Sequence, residues 1–116
     1  MKILYGVQGT GNGHITRARV MAKYFAKRND VDVDFIFSGR KPEQYFDMQA
    51  FKSFKTFQGL SFVVSHGAID YWRTATSLKL GQFYQDVKSL DLKQYDLVLN
   101  DFEPISAWAA RKQKIP

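Results

Sequence analysis

Apolar and polar positions follow three different rhythms in the first forty residues or so, and each rhythm predicts an element. Residues 2–7, Lys-Ile-Leu-Tyr-Gly-Val, are a short apolar run that gives way to Gly9, Gly11 and Gly13, the pattern of a buried strand entering a tight loop. From His14 to about Arg28, the residues Ile15, Ala18, Met21, Ala22 and Phe25 recur every three or four positions, as on a helix with one buried face. The polar turn Arg28-Asn29-Asp30 is followed by Asp-Val-Asp-Phe-Ile-Phe-Ser at 32–38, whose β-rich composition predicts a second strand. Strand, glycine loop, helix and strand make a βαβ unit, with a right-handed crossover and parallel strands.

The middle of the chain has no such clean period. Between Gln44 and Phe57, four phenylalanines (Phe46, Phe51, Phe54, Phe57) are mixed with Lys52 and Lys55, which predicts a short helix followed by an irregular extended stretch. Leu60 to Ser65 predicts a third strand, and Trp72, Leu80, Phe83, Val87 and Leu90 predict a long helix over roughly 73–91. Tyr95 to Asn100, with Leu97-Val98-Leu99 inside it, predicts a fourth strand. Pro104 then marks the first turn of a last helix that faces Ile105, Trp108 and Ala109 inward and ends near Lys114. Strands alternating with helices predict an α/β fold: a Rossmann-like, three-layer domain with a mainly parallel sheet. No internal repeat or linker divides residues 1–116. The sequence stops at Lys114-Ile115-Pro116, where such a domain usually leaves a helix for its next strand, so the expectation is a truncated piece of a longer protein.

Composition narrows the function classes. At 116 residues the chain suits one domain, and 45% hydrophobic with 24% charged residues excludes intrinsic disorder and low-complexity readings. The absence of cysteine removes disulfides, thiolate metal sites and catalytic thiols together. No set of His and carboxylates has metal-ligand spacing, so no bound metal is expected. The opening apolar run is too short for a signal peptide or a membrane span, which makes the cytoplasm the expected compartment. A net charge of +6 favours anionic surroundings without naming a partner.

The loop Gly9-Thr10-Gly11-Asn12-Gly13-His14 carries the most chemistry. A dinucleotide fingerprint would need a glycine where His14 stands, and the second strand ends in Ser38-Gly39-Arg40 without an acidic residue for a ribose. A triphosphatase phosphate loop counted from Gly6 would need Lys and Ser or Thr where Asn12 and Gly13 stand. Both nucleotide readings are therefore disfavoured. Two remain: a tight βα turn with no ligand, or a cradle for an anionic or polar ligand at the N-terminus of a helix.

Gly-x-Gly-x-Gly-His-x-x-Arg from Gly9 to Arg17, Ser38-Gly39-Arg40 after the second strand, and Asp101-Phe102-Glu103-Pro104 after the fourth together resemble the N-terminal half of a GT-B glycosyltransferase. The resemblance covers nearly the whole chain. It is closest to a bacterial and archaeal branch of predicted glycosyltransferases, distantly similar to the undecaprenyl-pyrophosphoryl-muramoylpentapeptide N-acetylglucosaminyltransferases. Those enzymes carry Gly-Gly-Thr-Gly-Gly-His in this loop, a pattern from which Gly9 to His14 departs, so their acceptor is not carried over. The resemblance implies an N-terminal, acceptor-side domain of an inverting transferase of hexosyltransferase type. It places the nucleotide-sugar site, for a UDP-sugar, in a C-terminal domain outside this chain, and implies no cofactor within it. The isolated chain would then be inactive.

On that reading His14 is the candidate base, since imidazole titrates near neutrality and can take the acceptor hydroxyl proton. Asp101, preferred to Glu103, would orient it, because both loops open at the carboxyl edge of a parallel sheet. The resemblance agrees: GT-B enzymes of plants and antibiotic pathways pair a first-loop histidine with an aspartate from a later loop. Plainer roles stand beside these: His14 positioning a phosphate, Asp101 capping a helix, Glu103 favouring a helix dipole. Gly9, Gly11, Gly13, Arg17, Arg40 and Glu103 are candidate substrate contacts, with Arg17 either clamping an anion or lying solvated on the surface. His66, Asp70 and Arg73 form a second tier.

The segment from Phe51 to Phe57 interleaves aromatic and basic residues. It reads first as core phenylalanines with exposed lysines, and second as a peripheral contact with the inner face of the membrane, where a lipid-linked acceptor would be reached. Nucleic acid is not an expected partner. The alternatives to a transferase are a non-enzymatic α/β module for a phosphorylated or anionic ligand and one half of a nucleotide-sugar 2-epimerase.

Overall fold

The computed structural model describes residues 1–10, 12–40, 42–51, 54–57 and 81–116. Its elements, in chain order, are β1 (Lys2–Gln8), α1 (Asn12–Ala26), β2 (Asp32–Ser38), a short 3-10 turn (Pro42–Gln44), β3 (Phe54–Phe57), α2 (residues 81–89), β4 (Leu97–Asp101) and α3 (Pro104–Gln113). The four strands lie in the order β3-β2-β1-β4 and all pair in parallel. In register, Gly6 of β1 stands between Ile36 of β2 and Asn100 of β4, and Val7 stands between Phe37 and Asp101.

Alternation along the strands builds a core on each face of the sheet. Leu4 and Ile36 point one way and pack with Val87 of α2 and with Ile105 and Ala109 of α3, joined by Leu92 and Tyr95. Tyr5, Val7, Phe35 and Phe37 point the other way, onto Ile15, Ala18 and Ala22 of α1 and onto Phe51. Helices on both faces of a parallel sheet make a three-layer, Rossmann-like α/β domain. The chain winds from β1 outward to β2 and β3, then returns past β1 to place β4 on its other side. The carboxyl ends of β1 and β4 therefore flank the reversal of winding, where open α/β sheets leave a crevice for ligands.

Three expectations change. The stretch read as irregular before residue 57 contains β3, which pairs with β2 through Phe35 to Ser38; four residues, Phe-Lys-Thr-Phe, are too few to show a period. Strand β4 begins at Leu97 rather than Tyr95, because Tyr95 closes a turn onto Leu92 and its hydroxyl donates to Asp34 at 2.6 Å. Trp108 faces outward and is 55% exposed, with Arg111 over its ring at 5.9 Å. The inward face of α3 is Ile105, Ser106 and Ala109, because Ser106 fits over Gly6. The predicted strand at Leu60 to Ser65 and the first part of the predicted helix over 73–91 lie outside the described residues; 81–89 is helical as expected.

Candidate active site

Strand β1 delivers the glycine loop to the carboxyl edge of the sheet, and α1 starts at once with Asn12. His14 and Arg17 are three residues apart on α1, so they share one side of its first turns. Strand β4 ends in Asp101, which is only 8% exposed. The three side chains meet there. His14 Nδ1 lies 2.9 Å from Asp101 Oδ1, and Arg17 grips the same carboxylate with two donors, Nε to Oδ2 at 2.7 Å and Nη2 to Oδ1 at 2.8 Å.

That arrangement sets the protons. Hydrogen bonds from Arg17 first, and from His14 after, hold the Asp101 carboxyl below the usual carboxylate range against the opposing effect of burial. An ionised Oδ1 at 2.9 Å calls for a proton on Nδ1, so His14 donates to Asp101 and keeps the lone pair of Nε2. Arg17 Nη2, 3.2 Å from Nδ1, is then a close neighbour rather than a donor to the ring. A histidine whose far nitrogen is held in this way can take a proton on the near one, and the carboxylate stabilises the imidazolium that results.

Glu103, the other carboxylate considered, is fully buried and engaged elsewhere. As the N-cap of α3 it accepts from the backbone N–H groups of Ile105 at 2.7 Å and Ser106 at 2.6 Å, and from Ser38 Oγ at 2.7 Å. In the glycine loop, Gly9 donates to the Ser38 carbonyl at 2.6 Å, and a side chain there would overlap the Tyr45 hydroxyl. Gly13 has open space where a side chain would stand, and Gly11 lies outside the described residues. Arg40 donates to Asn12 Oδ1 at 2.8 Å, tying the end of β2 to the first residue of α1.

The sequence model of a family described as glycosyl transferase family 1 matches residues 1–116. The chain belongs to glycosyl transferase family 1. No curated protein and no solved structure matches it.

For a glycosyl transferase family 1 domain, one residue at the crevice stands out that pattern reading passed over. Phe102, between Asp101 and Glu103, takes a positive φ of 59° and is 79% exposed. Its ring centroid lies 5.7 Å from that of His14, at an interplanar angle of 60°. The available signal was an aromatic residue directly after the strand-end aspartate. Of the second-tier candidates, His66, Asp70 and Arg73 lie outside the described residues. Among the described residues, no group of three or more metal-ligating side chains is assembled, and no helix is long and apolar enough to cross a membrane.

Proposed function

We propose that this family 1 glycosyltransferase domain holds the acceptor in an inverting transfer from a nucleotide sugar, with His14 as the base and Asp101 orienting it. The observation that carries the reading is the 2.9 Å hydrogen bond from His14 Nδ1 to Asp101 Oδ1, at the crevice between β1 and β4. In the reaction the acceptor hydroxyl oxygen forms a bond to the anomeric carbon as the bond from that carbon to the nucleotide phosphate breaks. The hydroxyl proton passes to His14 Nε2, and the bonding pair leaves with the nucleotide. Asp101 offsets the charge that appears on the ring. The N-terminal end of α1 and the Arg40 guanidinium favour negative charge at the glycine loop, which suits a phosphate of the donor or of a lipid-linked acceptor. The donor, in this reading a UDP-sugar, is held mainly by a domain outside these residues.

The test uses the full-length protein and labelled UDP-sugars. His14→Ala is expected to lower kcat by roughly a hundred- to ten-thousandfold, with donor binding retained. Asp101→Asn removes the negative charge and offers Nδ1 an amide donor, which favours the wrong tautomer, and is expected to cost on the order of ten-thousandfold. Unchanged turnover in His14→Ala would assign the proton to another group.

A further inference from the structure

Phe102 is hard to explain by folding alone. Between β4 and α3 the chain turns through a left-handed residue, a conformation that glycine takes freely, asparagine tolerates, and a bulky aromatic adopts only at a cost in strain. Packing does not repay that cost, since the side chain is 79% exposed and, among the described residues, its one ring neighbour is His14. Its position is nonetheless well fixed: Asp101 before it is held by Arg17 and His14, and Glu103 after it is buried as the cap of α3. A strained, exposed and firmly mounted aromatic beside a candidate base is the expected form of a ligand contact.

The shape of the corner suggests what lies on it. At 60° between the rings, a flat molecule lying on Phe102 meets the imidazole with its edge. Arg17 uses Nε and Nη2 on Asp101 and its side chain is 57% exposed, so beside the imidazole it still offers Nη1 donors that have no partner among the described residues. The fitting molecule has a carbon-rich face for the ring and several hydroxyls around its rim, of which one reaches His14 and others meet the arginine. A pyranose has that form; a simple phenol has the flat face but a single hydroxyl.

We propose that Phe102 is the stacking wall for a pyranose ring of the acceptor, so that the hydroxyl deprotonated by His14 belongs to a sugar. This rests on the transferase reading above and adds the acceptor class to it. The experiment compares methyl β-glucopyranoside and methyl N-acetyl-β-glucosaminide with the phenol umbelliferone as acceptors for the full-length protein, using labelled UDP-sugars. Phe102→Asn and Phe102→Tyr are measured beside the wild type. Transfer to a pyranoside in preference to umbelliferone is expected. Phe102→Asn should raise its KM about tenfold with kcat within about twofold, as loss of a stacking contact made equally in ground and transition states requires. Phe102→Tyr should restore the wild-type KM. The melting temperature of Phe102→Asn should equal or exceed that of the wild type, since asparagine suits the backbone.

A pyranoside KM indifferent to Phe102→Asn overturns the wall while leaving the transferase reading intact. Preference for umbelliferone overturns the sugar class. A lower melting temperature in Phe102→Asn shows a ring buried against protein and overturns the ligand role. Failure of the wild type to transfer from any donor to any acceptor removes the transferase reading, and this inference with it.

Discussion

Ser38 Oγ donates to Glu103 Oε1 at 2.7 Å, joining the end of β2 to the start of α3 across the intervening strand β1. The bond is possible because β1 carries Gly6 at the crossing point. A Cβ built there would lie 3.0 Å from Glu103 Oε2 and would overlap Ser106 Oγ. Three strands and a helix are thus tied together under the crevice by one buried carboxylate and one missing side chain.

Glu103→Ala is expected to destabilise the domain by about 2–3 kcal/mol, because it strips the partner from two helix N–H groups and a buried hydroxyl at once. Glu103→Gln, which keeps one carbonyl acceptor, should cost less. Urea unfolding of the two variants checks the order.

Gly6→Ala should also destabilise, by about 1–3 kcal/mol, since the new methyl group drives α3 off the sheet at Ser106. In a Ser106→Gly background the same substitution should cost less, and a double-mutant cycle measures the difference. An additive result would place the strain elsewhere.

The acid behaviour of the site follows from Asp101. Its carboxyl is held below the usual range in the folded chain, so its contribution to stability is complete above the unfolded value of about 3.9. That contribution is lost as the pH falls through the depressed value. Arg17 is the larger cause and His14 the smaller. Arg17→Ala should therefore raise the carboxyl titration of Asp101, read by carbon NMR, more than His14→Ala does. Acid unfolding of Arg17→Ala should begin at a higher pH than in the wild type.

Tyr45 predicts the alkaline side. Its hydroxyl is buried and has no hydrogen-bond partner among the described residues, and burial pushes its pKa up to about 12. An unfolded tyrosine ionises near 10, so stability should fall as the pH rises from about 10 to about 12. Tyr45→Phe removes the unpaired hydroxyl and should be neutral or stabilising by up to about 1 kcal/mol. It should also flatten that alkaline loss in melting measurements.

The elements legible in the sequence are those whose signals are local. Strands β1 and β2 and helix α1 announce themselves through periodicity and the glycine loop, and α3 through Pro104 at its first turn. The proximity of His14 and Asp101 was also readable, because it follows from winding order: both residues end up at the carboxyl edge beside the same reversal. What could not be read depends on partners distant in sequence. Glu103 is buried as the cap of α3, and its remaining partner is Ser38, 65 residues earlier. Trp108 faces out because Ser106 has the place over Gly6. The positive φ of Phe102 has no sequence signature at all, since phenylalanine rarely adopts it.

The pairing of β4 with β1 also sets when the His14–Asp101 contact can form. His14 and Asp101 are 87 residues apart in the chain, and no local structure brings them together. During synthesis the histidine and its glycine loop emerge early, while the carboxylate that fixes its tautomer arrives only when the fourth strand joins the sheet. In a half-made or partly unfolded chain the histidine therefore lacks its carboxylate partner, and the proposed base is oriented only in a molecule in which β4 has paired with β1.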